Sequence, residues 1–219
     1  MSYQWNWGVF LQPSASGDDT YLGWMLAGFK MTITLSLTAW VLALLLGALI
    51  GVLRTVPNKA LAGFATGYVE LFRNVPLLVQ LFIWYFVLPE LLPESIGNAY
   101  KQSNPMLQQF LASMVCLALF TSARVAEQVR SGINSLPRGQ KNAGLALGFT
   151  LPQTYRFVML PMAFRLVVPP LTSEFLNIFK NSAVCSTIGL MELAAQGRQL
   201  VDYTAQPYES FIAVTLSYI

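Results

Sequence analysis

From residue 22 to residue 53 the only charged side chain is Lys30. A helix needs about 20 apolar residues to cross the hydrocarbon core of a bilayer. This run is therefore long enough to span with tilt. Further apolar runs follow. The second, 60–92, is interrupted by Glu70, Arg73, Asn74 and Pro76. The third starts near Met106, stays apolar to Thr121, and continues as a helix bearing Arg124, Glu127, Gln128 and Arg130. The fourth, 155–179, holds Pro161, Pro169 and Pro170, and the fifth opens at Tyr208 and is still apolar at Ile219. The expected architecture is an all-α membrane protein of about five transmembrane helices. A segment at 1–21 precedes one transmembrane domain, 22–219, whose last helix reads as truncated. Charged residues make up 11% of the chain, against about 25% in soluble domains, which points to lipid as the solvent.

Several function classes fall away. There is no histidine, which removes the commonest general base and metal ligand. Cys116 and Cys185 stand far apart in apolar runs and have no metal-ligand spacing; they read as small packing residues. No catalytic residue, metal or cofactor is indicated. The net charge of +3 is spread without a basic run, so no nucleic-acid partner is expected. Residues 1–22 contain no Lys or Arg but hold Asp18 and Asp19, unlike a secretory signal. Tyr3, Trp5, Trp7 and Phe10 suit a membrane interface. Five spans place Arg54, Lys59, Arg130, Arg138, Lys141 and Arg156 on one side, which the positive-inside rule makes cytoplasmic. The N-terminus is then periplasmic.

The largest connection on that side runs from about 136 to 154. Residues 140–147 are good helix formers. Gly148 is a natural stop, and Thr150 followed by Pro152 reads as the cap and first turn of the next helix. Such a helix is suited to dock into a groove on another protein; it could equally be an elbow between two spans. Spacing adds to this. The segment resembles the signature loop of ABC-importer permeases: Glu-Ala-Ala, three residues, Gly, nine residues, an aliphatic, any residue, Leu-Pro. Here Asn142, Ala143 and Gly144 take the first three places, Gly148 follows in register, and Val158, Leu160 and Pro161 close the pattern. Asn142 replaces the acid and Gly144 the second alanine. Residues 68–89 and 169–193 resemble span blocks of the polar amino-acid (histidine/glutamate) branch. The segments WNWGVF, ELFRNVPL and TSEFLNIFKNSA are most similar to its glutamate/aspartate permeases.

The resemblance implies a type I importer permease in a bacterial inner membrane. It would move polar amino acids, foremost glutamate and aspartate, by alternating access. Asn142, Ala143, Gly144, Leu147, Gly148, Leu160 and Pro161 would form or frame the coupling helix. The chain carries no phosphate-binding glycine loop of its own. Two cytoplasmic ATPase subunits, a second related permease and a periplasmic binding protein are the implied partners, beside membrane lipid.

Ionisable groups at membrane depth are functional candidates. Glu174, Asn177 and Asn181 share one helix face beside Lys180, and Arg73 and Asn74 precede Pro76. These six could line a pathway, with Arg73 and Lys180 meeting carboxylates and Glu174 an ammonium. They could instead be structural, with Glu70 or Glu174 neutralising Arg73 and Lys180 snorkelling outward. Arg124, Glu127, Gln128 and Ser131 form a third stripe, read as structural. A buried acid such as Glu174 also leaves an ion-coupled secondary carrier as the alternative mechanism.

Overall fold

The structure is a computed structural model that describes residues 3–219, the Arg138 side chain excepted. Among the described residues there is no strand, and an isolated bridge joins Pro13 to Thr20. Helix α1, Tyr21–Leu53, distributes its apolar residues around its whole circumference, the pattern of a helix solvated by lipid. Helix α2, Lys59–Asn74, begins where the Asn58 side chain accepts from the backbone N–H groups of Ala60 and Leu61, at 3.0 and 3.2 Å. It ends at Val75, whose backbone is extended at φ −88° and ψ 128°. Pro76 is the cause, because its ring excludes the helical conformation at the residue before it. Helix α3, Leu77–Leu91, resumes at 101° to α2. The second apolar run is thus a bent pair.

Helix α4, Glu94–Lys101, leads to α5, Pro105–Asn134, and to the short α6, Arg138–Ala146. Leu151–Thr154, a π turn Tyr155–Met159 and Leu160–Ser182 then run on as one helix, α7 (151–182). A 3-10 turn, Ala183–Ile188, precedes α8, Leu193–Thr204, and α9, Pro207–Tyr218.

Two π turns carry the same signature. In α3, Ile83–Val87 are π-helical and Leu88 donates to the Ile83 carbonyl. In α7, Leu160 donates to the Tyr155 carbonyl in the same way. Each turn is followed by Leu-Pro. Proline lacks the donor for the carbonyl four residues back and its ring collides with that carbonyl. A wider turn just before it relieves both problems. Pro169 and Pro170 lie inside Leu160–Ser182 without interrupting it.

By length and apolarity, α1 and α5 can cross a bilayer, and the bent pair α2–α3 is long and apolar enough for a third crossing if it is one broken span. Helix α7 carries Arg165, Glu174 and Lys180, and α9 has 12 residues, so neither meets that measure. The expected five spans therefore include two whose polar face or length sets them apart.

The helices form two compact units. The terminal unit comprises the chain up to Thr38, Leu78–Cys116 and Phe179–Ile219. Its core gathers Val9, Tyr21, Met25, Leu193, Leu200 and Val214. Inside it, the fully buried Glu192 caps α8 by accepting from Ala194 and Ala195 N–H at 3.0 and 2.8 Å, and takes the Tyr218 hydroxyl at 2.7 Å. The central unit comprises Ala39–Leu77 and Leu117–Ile178. One cluster there joins Ile50, Ala65, Val69, Ala123 and Ala126; another joins Ile133, Tyr155, Met159 and Ala163. The Tyr155 hydroxyl donates to the Thr55 carbonyl at 2.8 Å, tying the start of α7 to the end of α1.

Candidate functional site: a capped docking helix and a charged cavity

Both features lie in the central unit. The first is the loop around α6. Helix α6 starts at Arg138, two residues before the expected start, and its last turn closes in a Schellman motif. Gly148 donates to the Leu145 carbonyl at 3.0 Å and Phe149 to the Gly144 carbonyl at 3.2 Å. Gly148 has φ +84°, a conformation that costs an L-residue about 1–2 kcal/mol and glycine nothing. Two residues on, the Gln153 side chain accepts from the Thr150 N–H at 2.8 Å and starts α7 at once. Helix, turn and new helix are locally determined.

Gly144 explains one departure from the family pattern. A Cβ built on it would stand 2.8 Å from Thr154 Cγ2 and 3.1 Å from Thr154 Oγ1. Thr154 is fully buried. An alanine cannot fit there unless the threonine shifts, so glycine is what lets α6 lie against α7. The opposite side of the loop is apolar and open. Leu147 is 77% exposed, and Leu145, Phe149 and Phe157 stand exposed near it. Ala143 is exposed as well. Asn142 and Lys141 line a cavity of about 500 Å³ with Asn134, Pro137 and Tyr155. Leu160 packs on the Ile133 cluster, and Pro161 follows the π turn. These last two shape the entry of α7; Leu160 is half-buried and Pro161 exposed.

The second feature is an ionic cluster. Arg73 at the end of α2, Arg124, Glu127 and Gln128 on α5, and Glu174 on α7 line a cavity of about 220 Å³. Glu127 is the hub. It accepts from Arg54, from Arg130 Nη2 at 2.8 Å and Nε at 3.2 Å, and lies 3.3 Å from Arg73 Nη1. Arg124 Nη1 lies 3.8 Å from Glu174 Oε1. Its guanidinium sits over the Phe120 ring, 5.0 Å from the centroid.

The sequence placed Arg73, Glu174 and the α5 stripe in three separate sets; the fold brings them together. The carboxylate facing Arg73 is Glu127, where the sequence suggested Glu70 or Glu174. Asn74 is exposed and Asn177 half-buried, and neither lines this cavity. Lys180, exposed, and Asn181, half-buried, belong to the terminal unit. Arg124, Glu127 and Gln128 belong to the stripe that the sequence reads as structural, and they line this cavity. Glu127 is the only acid in α5, it falls between two arginines, and 124, 127 and 128 share a helical face.

A helical membrane chain with a capped, apolar-faced loop and a polar cavity among its helices fits the permease component of a transporter. Residues 43–219 match the family described as the inner membrane component of binding-protein-dependent transport systems, and the chain belongs to that family. It is 60% identical over 220 residues to the glutamate/aspartate import permease protein GltJ of Escherichia coli O6:H1, covering 100% of this chain and 89% of that protein. The glutamate/aspartate import permease protein GltK of the same organism is 31% identical over 190 residues, covering 87% of this chain and 80% of that one. The crystal structure of an amino acid ABC transporter with histidines aligns at a TM-score of 0.76 and 31% identity, over 90% of this chain and 87% of that one. The chain is an ABC-importer permease of the amino-acid type. The ion-coupled carrier finds no support in these relatives.

Proposed function

We propose that this chain imports acidic amino acids, glutamate and aspartate foremost, as one of two permease subunits driven by two cytoplasmic ATPase subunits. The observation that carries the reading is the α6 loop. Its Schellman turn, its close seat on Thr154 and its exposed Leu145, Leu147 and Phe149 make a rigid apolar knob, which is what a motor subunit needs to push on a helix. Asn142, Ala143, Gly144, Leu147 and Gly148 form the knob. Leu160 and Pro161 fix the helix that receives the thrust. Two E. coli O6:H1 relatives carry the same substrate name, which supports a second, related permease as partner. A periplasmic binding protein delivers the amino acid, and the N-terminal aromatic segment faces that side. Arg73, Asn74, Glu174, Asn177, Lys180 and Asn181 contribute to the pathway.

The test is reconstitution of the chain with its ATPase, partner permease and binding protein. Gly148→Val forces a β-branched residue into the left-handed region, so ATP-driven uptake should fall roughly tenfold or more. Full uptake by G148V, or uptake with the ATPase omitted, would overturn the reading. Preference for arginine or histidine over glutamate in the same vesicles would overturn the substrate assignment.

A further inference from the structure

The arginines around the central cavity are not equivalent. Arg54 is 9% exposed and donates to Glu127, while Arg130 engages the other oxygen of the same carboxylate. Between them they occupy Glu127. Arg73 is 48% exposed and makes a looser ion pair with that carboxylate, 3.3 Å from its Oε2. Arg124 is 47% exposed, and its distance of 3.8 Å to Glu174 is beyond hydrogen-bond length. The Arg124 guanidinium makes no hydrogen bond to a described side chain and rests on the buried Phe120 ring. Four arginines thus face two carboxylates, an excess of positive charge that an anion can answer.

We propose that Arg73 and Arg124 form a clamp for the two carboxylates of an acidic amino acid, with Glu174 receiving its ammonium group, and that Arg124 determines specificity. The inference rests on the importer reading above. Beside Glu127 and Gln128, the cavity is lined by two half-exposed guanidinium forks and one carboxylate, each fork within ion-pair reach of a carboxylate. The substrate presents the inverse set, two carboxylates and one ammonium. Planar forks suit carboxylates, and the aromatic platform under Arg124 holds its fork in place before substrate arrives. Glutamine, with an amide for the distal carboxylate, leaves one fork without its charge partner. A charge-assisted hydrogen bond of this kind corresponds to a preference of roughly tenfold or more.

The experiment is equilibrium binding of radiolabelled glutamate and glutamine to the assembled permease–ATPase complex without its binding protein. The wild-type complex should bind glutamate at least tenfold more tightly than glutamine. Arg124→Gln and Arg73→Gln should each bring the ratio close to one, and Arg124→Lys should keep part of it. The ratio is read within a single preparation, so partial misfolding lowers both ligands and leaves it unchanged. An unaltered ratio in all three variants, or no glutamate binding by the wild type, overturns the clamp. ATP-driven glutamate uptake by the same wild-type complex, with binding protein restored, separates the two readings. Uptake without a binding preference removes the clamp alone; no uptake removes the function on which it rests.

Discussion

Glu192 and Glu127 are both carboxylates with a full set of partners, and they do opposite things to their surroundings. Glu192, in the terminal unit, is fully buried and held by two backbone N–H groups and the Tyr218 hydroxyl. Those donors are neutral, so each bond places an α8 backbone group or the end of α9, and the shell is closed. Glu127, in the central unit, is a quarter exposed and held by guanidinium groups from α2, from its own helix and from the end of α1. Its partners exceed it in charge, and the surplus opens onto a cavity. A carboxylate satisfied by neutral donors builds a joint; one satisfied by several cations builds a site that still attracts an anion.

The difference can be broken by the same substitution at both positions. Glu127→Gln leaves Arg54 buried against an amide, and removing one partner of a buried pair is costly. Thermal unfolding of the purified complex should show a loss of about 3 kcal/mol, at the lower bound because Glu127 retains water contact. Glu192→Gln removes no charge partner but turns an amide donor toward neutral donors, at a cost of about 1.5 kcal/mol in the same measurement. The reverse order would mean that the hub is compensated by water and the cap is not.

Smaller effects sharpen the picture of the α6 loop. Gly144→Ala should destabilise by about 1 kcal/mol through overpacking on Thr154. Thr154→Ser in the same chain removes the nearest methyl and should recover most of that, a coupling that a double-mutant cycle reads directly. Asn142→Glu restores the acid of the family pattern at an exposed position. It should change stability by less than about 0.5 kcal/mol and leave ATP-driven uptake intact. A marked gain or loss of uptake would show that charge, beyond shape, sets docking at that place.

Much of the loop was legible because its determinants are local. Gly148, Thr150, Gln153 and Pro152 act within a turn or two of themselves, and the structure begins α6 only two residues from the expected start. Pro76 announced a break but not the 101° between α2 and α3, since a proline restricts the preceding residue without choosing the path of the next helix. The π turns were hidden although the Leu-Pro pairs were in view. Whether a proline kinks, ends or widens a helix depends on the packing around it. Gly144 looked like a departure from the pattern and became intelligible only with Thr154 beside it.

By itself the sequence determined the solvent, the helical class, the register of the 136–154 loop and the family. Each follows from composition and from spacing over at most a few turns. It did not determine which charges meet. Arg54, Arg73, Glu127 and Glu174 come from helices far apart in the chain, and their approach is set by how α1, α2, α5 and α7 pack. A stripe on one helix shows which residues share a face. Only tertiary structure decides what that face looks at, because electrostatic pairing depends on distances of a few ångström that no linear spacing encodes.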